Sequence, residues 1–301
     1  MVTKGQSLSS KLAVIAGKLS ALAIRLAGAG LGSNLPGKIA RKISPSVLSS
    51  LALQSRRGVI AISGTNGKST TSGLVAAILR QANMTIVHNR QGANLVTGIT
   101  ATLVDASAWS GKLAADYCLF EIDEAALPIV AIDTIAVTNL FRDQLDRFGE
   151  LDTTARLISK GIATASSKAV LNADDPNVAQ MVPESARLFY GIASLCPNVM
   201  VSSSENVTAC LAENAIASLA QKESAAAQAR AEENISAIPE AGIAEISSCS
   251  ICGAEYSYSL HFYGQLGHYR CSSCAQARPL PQVFAEQVRL TSGGSKFILV
   301  V

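Results

Sequence analysis

The sequence is poor in charge and in aromatic rings. Charged side chains make up 16% of it and aromatic ones 5%, with a single Trp and three His. Apolar residues nonetheless reach 49%, so the low charge does not mark a disordered chain, which would be poor in apolar residues as well. The formal net charge of +3 is too small to signal nucleic-acid binding by electrostatics. No cluster of Lys and Arg with interleaved aromatics is present either, so no nucleic-acid partner is expected. Long apolar runs are also missing. None approaches the roughly 20 residues a membrane span requires, and Lys18 and Arg25 interrupt the N-terminal stretch that a signal peptide would keep unbroken. There is no internal repeat. The seven cysteines do not form a secreted disulfide framework. Four of them sit in two tight pairs, a spacing that points to a metal and a reducing compartment, so the chain is expected in the cytoplasm.

What is present divides into segments. With 301 residues the chain is long enough for one large domain or two modest ones with a sizeable core. Residues 1–55 read as an N-terminal helical segment, broken at Gly28-Ala29-Gly30 and by Pro36. Lys4, Lys11, Lys18 and Arg25 recur every seven residues along one helical face. Two readings follow: an amphipathic helix packed on the protein, or one lying on the anionic inner face of a membrane. From 56 to 201 the pattern becomes strand, loop, helix. Short apolar strands are expected at Val59–Ile62, Thr85–Val87, Tyr117–Phe120, Thr134–Val137 and Lys168–Leu171, with a helix from Ser69 to about Gln81. Strands alternating with helical segments imply an α/β domain with a mostly parallel sheet. Residues 202–248, rich in Ala, Ser, Glu and Gln, read as a low-complexity insertion. A cysteine module follows at 249–278, and 279–301 reads as a return to the sheet through a hairpin around Ser292-Gly293-Gly294.

Gly64-Thr65-Asn66-Gly67-Lys68-Ser69-Thr70 follows an expected strand and opens an expected helix, the context a phosphate-binding loop needs. The glycines let backbone N–H groups turn toward phosphate oxygens, and the helix N-terminus adds positive potential. Lys68 reaches β and γ phosphates, and the Ser69 hydroxyl joins a Mg²⁺ shell. The general Walker pattern would have glycine where Ile62 stands, so only the shorter Gly-x-x-Gly-Lys-Ser core is matched. An ordinary glycine turn at a strand–helix junction is the plain alternative. Glu121 ends a strand with apolar neighbours, so its side chain emerges at the carboxyl edge of the sheet, where ligands bind in open α/β folds. A solvated loop acid is its alternative, with Asp123 and Glu124 close by.

Cys249-Ser-Ile-Cys252 and Cys271-Ser-Ser-Cys274 enclose residues 253–270. Two such knuckles at that separation fit a tetrahedral Cys₄ zinc ribbon with no open coordination position, hence a structural site. His261 and His268 lie between the pairs as possible substitutes. Cys118, Cys196 and Cys210 read as core or linker thiols.

The phosphate loop and four further motifs in the same order resemble the Mur ligase superfamily. They are Asn89-Arg90-Gln91-Gly92-Ala93-Asn94-Leu95, Phe120-Glu121-Ile122-Asp123-Glu124, Thr138 to Arg147, and Asn172-Ala173-Asp174-Asp175-Pro176. With Gln144 where many Mur ligases have His, and with the cysteine module, the chain looks like the MurT branch, the ligase subunits of lipid II isoglutaminyl synthases. The resemblance implies a Mur ligase central domain holding ATP on Gly64 to Thr70, with Asn172 and Asp175 in the adenine-side turn. It implies Mg²⁺ on Ser69 and Glu121, and catalytic roles for Lys68, Glu121 and Asn94. For Asn172 an Asx turn before Pro176 remains open. The resemblance further implies ATP-dependent amidation of the D-glutamate α-carboxylate of lipid II, through an acyl phosphate, in peptidoglycan synthesis. Ammonia would come from a GatD-type glutamine amidotransferase partner. On the family pattern a further domain follows the hairpin, so the chain is expected to be C-terminally truncated and, alone, slow or inactive. A folylpolyglutamate synthase-like ligase and a non-catalytic ATP-binding scaffold are the rival readings.

Overall fold

Short β-branched runs in this sequence are too brief to stand alone, and those of the parallel sheet find their hydrogen-bond partners in strands well separated along the chain. The computed structural model describes residues 7–27, 34–89, 93–141, 156–160, 168–181, 187–193, 248–291 and 294–301. Three helices come first: α1 (Leu8–Leu26), α2 (Leu35–Ile43) and α3 (Val47–Ala52). Then follow β1 (Gly58–Ser63), α4 (Lys68–Gln81), β2 (Ile86–His88), α5 (Val96–Ala106), β3 (Tyr117–Glu121), a 3₁₀ turn (Glu124–Ile129) and β4 (Thr134–Val137). The last elements are β5 (Lys168–Asn172), α6 (Pro176–Ala179), β6 (Arg187–Ile192), β7 (Tyr256–Tyr263), β8 (Leu266–Cys271), β9 (Val283–Thr291) and β10 (Gly294–Val300).

The large sheet has the order β10-β9-β6-β5-β4-β1-β3-β2. Every pairing in it is parallel except β9 with β10. The α/β reading with a mostly parallel sheet therefore holds. β7 and β8 form a separate antiparallel pair between β6 and β9 in the chain, so the polypeptide leaves the sheet, builds the cysteine module and re-enters beside the strand it left.

Side chains along the central strands alternate between two apolar layers, as the period of two demands. Val59, Ala61, Cys118, Phe120, Ile135 and Val137 join the larger cluster, together with Ala13, Val14, Leu48 and Leu51 of the N-terminal helices and Ile99 and Leu103 of α5. Ile62 and Leu119 join the smaller one under α4, with Ala76 and the partly buried Ile60 and Ala136. The N-terminal helices thus share the core of the sheet. Leu48 and Leu51 are fully buried, each worth about 1.5–3 kcal/mol of transfer free energy.

Two local expectations are corrected. Pro36 does not break a helix but starts one: it sits in the first turn of α2, where no intrahelical N–H is needed. α2 then lies so close to α5 that a Cβ on Gly37 would collide with the Thr97 carbonyl. The second correction is β6, a strand absent from the sequence reading. The expected insertion at 202–248 lies, apart from Ser248, outside the described residues.

Candidate functional site

The carboxyl ends of the parallel strands bring Ser63, Glu121, Val137, Asn172 and Ile192 to one edge of the sheet. The loop from Gly64 to Gly67 sits on this edge and is pinned by the segment after β4. Thr65 N–H donates to the Asn139 carbonyl (2.8 Å) and Asn66 N–H to Asn139 Oδ1 (2.9 Å). Thr138 Oγ1 donates back to the Asn66 carbonyl (2.8 Å), and Phe141 N–H to Thr65 Oγ1 (3.0 Å). Gly64 has φ +121°, and a Cβ there would strike Thr138 and the Asn139 carbonyl, so glycine is required on both counts. Gly67, at φ +80°, faces open space.

α4 begins at Lys68 with no side-chain cap at Gly67. Its first-turn N–H groups therefore have no intrahelical acceptor and present the positive end of the helix to the loop. The Lys68 ammonium folds back onto the carbonyls of Gly64 and Thr65. Asn66, Gly67 and Thr70 are exposed. One turn in, Ser69 Oγ donates to Glu121 Oε2 at 2.8 Å. Of the three neighbouring acids, Glu121 is the one that reaches Ser69, while Asp123 caps the 3₁₀ turn through Ala125 N–H. Hydroxyl and carboxylate oxygens side by side are hard donors that suit Mg²⁺.

Asn89, not singled out from the sequence as a site residue, fixes Glu121. Its Oδ1 accepts from Glu121 N–H (2.9 Å), and its Nδ2 donates to the Glu121 carbonyl (2.8 Å) and to that of Ala93 (2.9 Å). Asn94 stands beside this clamp, half-buried, its carbonyl accepting from Asp123 N–H at 3.1 Å.

The turn after β5 is braced from within. Asn172 Nδ2 donates to the Thr138 carbonyl (2.9 Å) and its Oδ1 accepts from Asp174 N–H (3.0 Å), which is the Asx-turn geometry. Asp175 is fully buried; it accepts from Leu140 N–H (2.8 Å) and Asn177 N–H (2.9 Å). The described bonds of both side chains run to their own turn, to the β7–β8 connection and to the segment after β4, which is itself hydrogen-bonded to the Gly64–Gly67 loop. Burial pushes the Asp175 carboxyl from its ordinary 3.8 up to about 6, against the N–H donors that pull it down. A group with a raised folded-state pKa contributes stability that is complete below its unfolded value and lost as pH rises through the folded one. The advantage of the native chain over Asp175→Asn is therefore expected to shrink by roughly 2–3 kcal/mol between pH 4 and pH 7. Paired thermal melts across that range check it.

The cysteine module is docked on the same turn. Gln265, in the β7–β8 connection and buried, donates to the Leu140 carbonyl (2.7 Å) and to Asp175 Oδ2 (3.3 Å). Gly267 N–H donates to the Asp174 carbonyl (2.9 Å). Arg278 Nε meets Asp174 Oδ1 at 2.7 Å with both side chains nearly out of solvent, and its NH2 reaches the Ile192 carbonyl (3.1 Å). Burial holds Asp174 above its usual range despite this cation. Arg278→Ala would strand a buried carboxylate, with an expected loss of about 3–5 kcal/mol in chemical denaturation.

The four ribbon sulfurs lie within 4.8 Å of one another. Cys249 and Cys274 Sγ are 3.6 Å apart, and Cys252 and Cys271 Sγ 3.4 Å. These separations are too long for a disulfide and near the roughly 3.8 Å edge of a tetrahedron with 2.3 Å Zn–S bonds. N–H groups of Cys274 and Ser273 pointing at Cys271 Sγ hold its thiol below the ordinary value. The cluster is thus compatible with a metal. Neither histidine joins it: His261 is bonded to the Gly264 carbonyl and His268 to that of Ile192. Cys118 is buried in the core, its thiol pushed up to about 11. Asp143, Gln144, Asp146, Arg147, Cys196 and Cys210 lie outside the described residues.

A family model described as the Mur ligase middle domain matches residues 62–234, more than half of the chain and including the whole phosphate-loop edge. The chain belongs to the Mur ligase family. Among Mur ligases it is 34% identical over 245 residues to a Staphylococcus aureus protein named lipid II isoglutaminyl synthase (glutamine-hydrolyzing) subunit MurT, covering 80% of this chain and 46% of that one. To the protein of the same name from Streptococcus pneumoniae it is 31% identical over 299 residues, covering 97% and 57%. The chain spans about half the length of these curated relatives. A pseudomurein peptide ligase type C from Methanothermus fervidus shares the fold, with TM-score 0.54 over 82% of this chain and 40% of that one at 22% identity.

Proposed function

We propose that this chain is the nucleotide-binding portion of a MurT-type Mur ligase, which uses ATP to convert a carboxylate of lipid II to an amide. The Ser69–Glu121 contact beside an uncapped helix N-terminus carries the reading, because it sets two hard oxygen donors where the terminal phosphates of a nucleotide would lie. In this reading Gly64 to Thr70 hold the phosphates, and Lys68 exchanges the carbonyls of Gly64 and Thr65 for phosphate oxygens. Mg²⁺ on Ser69 and Glu121 supplies charge neutralisation at the phosphoryl group. Asn89 keeps Glu121 aimed at that position, and Asn94 faces the acceptor carboxylate. Asn172 and Asp175 brace the turn on the base side, and the Cys249, Cys252, Cys271 and Cys274 cluster holds structural zinc.

The chemistry follows from the poor electrophilicity of a carboxylate. Its oxygen takes the γ-phosphoryl group, the bond to the β-phosphate oxygen breaks, and ADP leaves. Ammonia then attacks the acyl carbon of the resulting acyl phosphate, phosphate departs, and the amide remains. Electrostatic stabilisation and positioning are the protein's part. A GatD-type glutamine amidotransferase partner would supply ammonia, and the D-glutamate α-carboxylate of lipid II is the expected acceptor, reached from the cytoplasm.

Mass spectrometry of lipid II incubated with ATP, glutamine, the full-length ligase and its glutaminase partner tests this. The expected product has one carboxyl hydroxyl replaced by an amino group per stem peptide. ATP turnover that adds an amino acid instead, or none at all with lipid II, would overturn it.

A further inference from the structure

The face of α1 that packs on the protein is made of small residues. Ser10, Ala13, Val14 and Gly17 are buried, and α1 lies against α2 and α5. Six of the larger aliphatic side chains of the same helix point the opposite way. Leu8, Leu12, Ile15, Leu19, Leu22 and Leu26 recur at spacings of four and three, one stripe along a helix. All six are exposed, from 37% at Ile15 to 80% at Leu26. A helix standing alone in water would turn its leucines inward, so the stripe requires an occupant.

Charge identifies that occupant. Lys11, Lys18 and Arg25 run along one flank of the stripe. Lys18 Nζ donates to the Asp105 carbonyl (3.0 Å) and lies 5.7 Å from the ring centre of Trp109, itself 54% exposed. Arg25 meets the Asp105 carboxylate at 2.8 Å. Asp105 is the first acidic residue of the chain: all 22 Asp and Glu follow from there. The small net charge hides a first third that is basic throughout. A second copy of the chain would bring the same cations to the seam, whereas a surface that is apolar inside and anionic at its rim complements both features.

We propose that α1 is a membrane-surface helix that seats this chain on an anionic lipid bilayer. Its six aliphatic side chains enter the acyl boundary while Lys11, Lys18 and Arg25 stay at the headgroups. The exposed indole of Trp109 belongs at the same depth. The helix lies flat, about 28 Å long by its rise per residue, and no described helix is long and apolar enough to cross a membrane. The inference does not rest on the ligase reading, because seating requires neither nucleotide nor acceptor.

The test is co-sedimentation of the chain, without ATP, with vesicles of equimolar phosphatidylglycerol and phosphatidylcholine or of phosphatidylcholine alone. Binding is expected to the anionic vesicles, to weaken roughly fivefold in Lys11→Gln, and to fall more than tenfold in Leu12→Gln/Leu19→Gln. Rising salt should weaken it. Both variants alter exposed positions, so an unchanged melting temperature shows that the fold is kept. Equal binding to the two vesicle types, or binding indifferent to the leucine pair, overturns the proposal. So does a stable dimer that the same leucine pair dissociates in the absence of vesicle binding, which would assign the stripe to a second copy.

Discussion

Replacing Lys68 with alanine is expected to weaken Mg-ATP binding by about a hundredfold or more. The ammonium is the one side-chain cation built into the loop, and its present partners are two backbone carbonyls of that same loop. A nucleotide offers it anionic oxygens instead. Hydrogen bonds to charged groups are worth about 1.5–3 kcal/mol each, and a loss of about 2.7 kcal/mol is a hundredfold in affinity. The loop itself should survive, because its shape is set by Thr138, Asn139 and Phe141 rather than by Lys68. Isothermal titration of the variant with a non-hydrolysable ATP analogue, beside a thermal melt, separates the two effects. Unchanged affinity would mean that the nucleotide does not sit here.

Disabling the cysteine cluster is expected to have an even wider effect. With Cys252→Ser the tetrahedral set loses a ligand, and folding free energy that metal binding supplies is lost with it, on the order of 10 kcal/mol for small zinc modules. The consequence extends beyond the module. Gln265, Gly267 and Arg278 carry its contacts to Leu140, Asp174 and Asp175, and Leu140 follows directly on the Thr138–Asn139 pair that pins the phosphate loop. We expect one zinc per native chain by elemental analysis, none after the substitution, a lower melting temperature, and nucleotide affinity reduced about tenfold through the loosened loop. An unaltered melt and affinity after complete loss of metal would show the module to be an independent appendage.

The parallel sheet and its strand–glycine loop–helix turn were legible in the sequence because their signals are local. A β-branched run, a glycine turn and Lys-Ser-Thr leading a helix each carry their reason within a few residues. The cysteine pairs were legible for the same reason. β6 was not, since Arg187–Ile192 has only a short mixed pattern and becomes a strand by pairing with β5 on one side and β9 on the other. The brace was also hidden. Nothing around Gln265 or Arg278 announces a partner, and their contacts lie about ninety or more residues away in the chain. Asn89 could have been found from its motif, but its task of bracketing Glu121 exists only once β2 and β3 are adjacent. The seven-residue spacing of basic residues in α1 foretold a helix and left open whether it packs on the protein or lies on a membrane surface. The face that packs is the one carrying Ser10, Ala13 and Gly17, where the neighbours come close: a Cβ on Gly17 would already meet Val104.

We expect Ser69 and Glu121 to hold a divalent ion at the phosphates of a nucleotide. Titration of an ATP analogue into the chain in magnesium and then in excess chelator, for the native protein and for Glu121→Gln, tests it most directly. The native chain should bind at least tenfold more tightly with magnesium, and the variant should lose most of that difference while keeping its melting temperature. Affinity that is the same with and without the ion in both proteins would mean that Ser69 and Glu121 hold no nucleotide-bound ion.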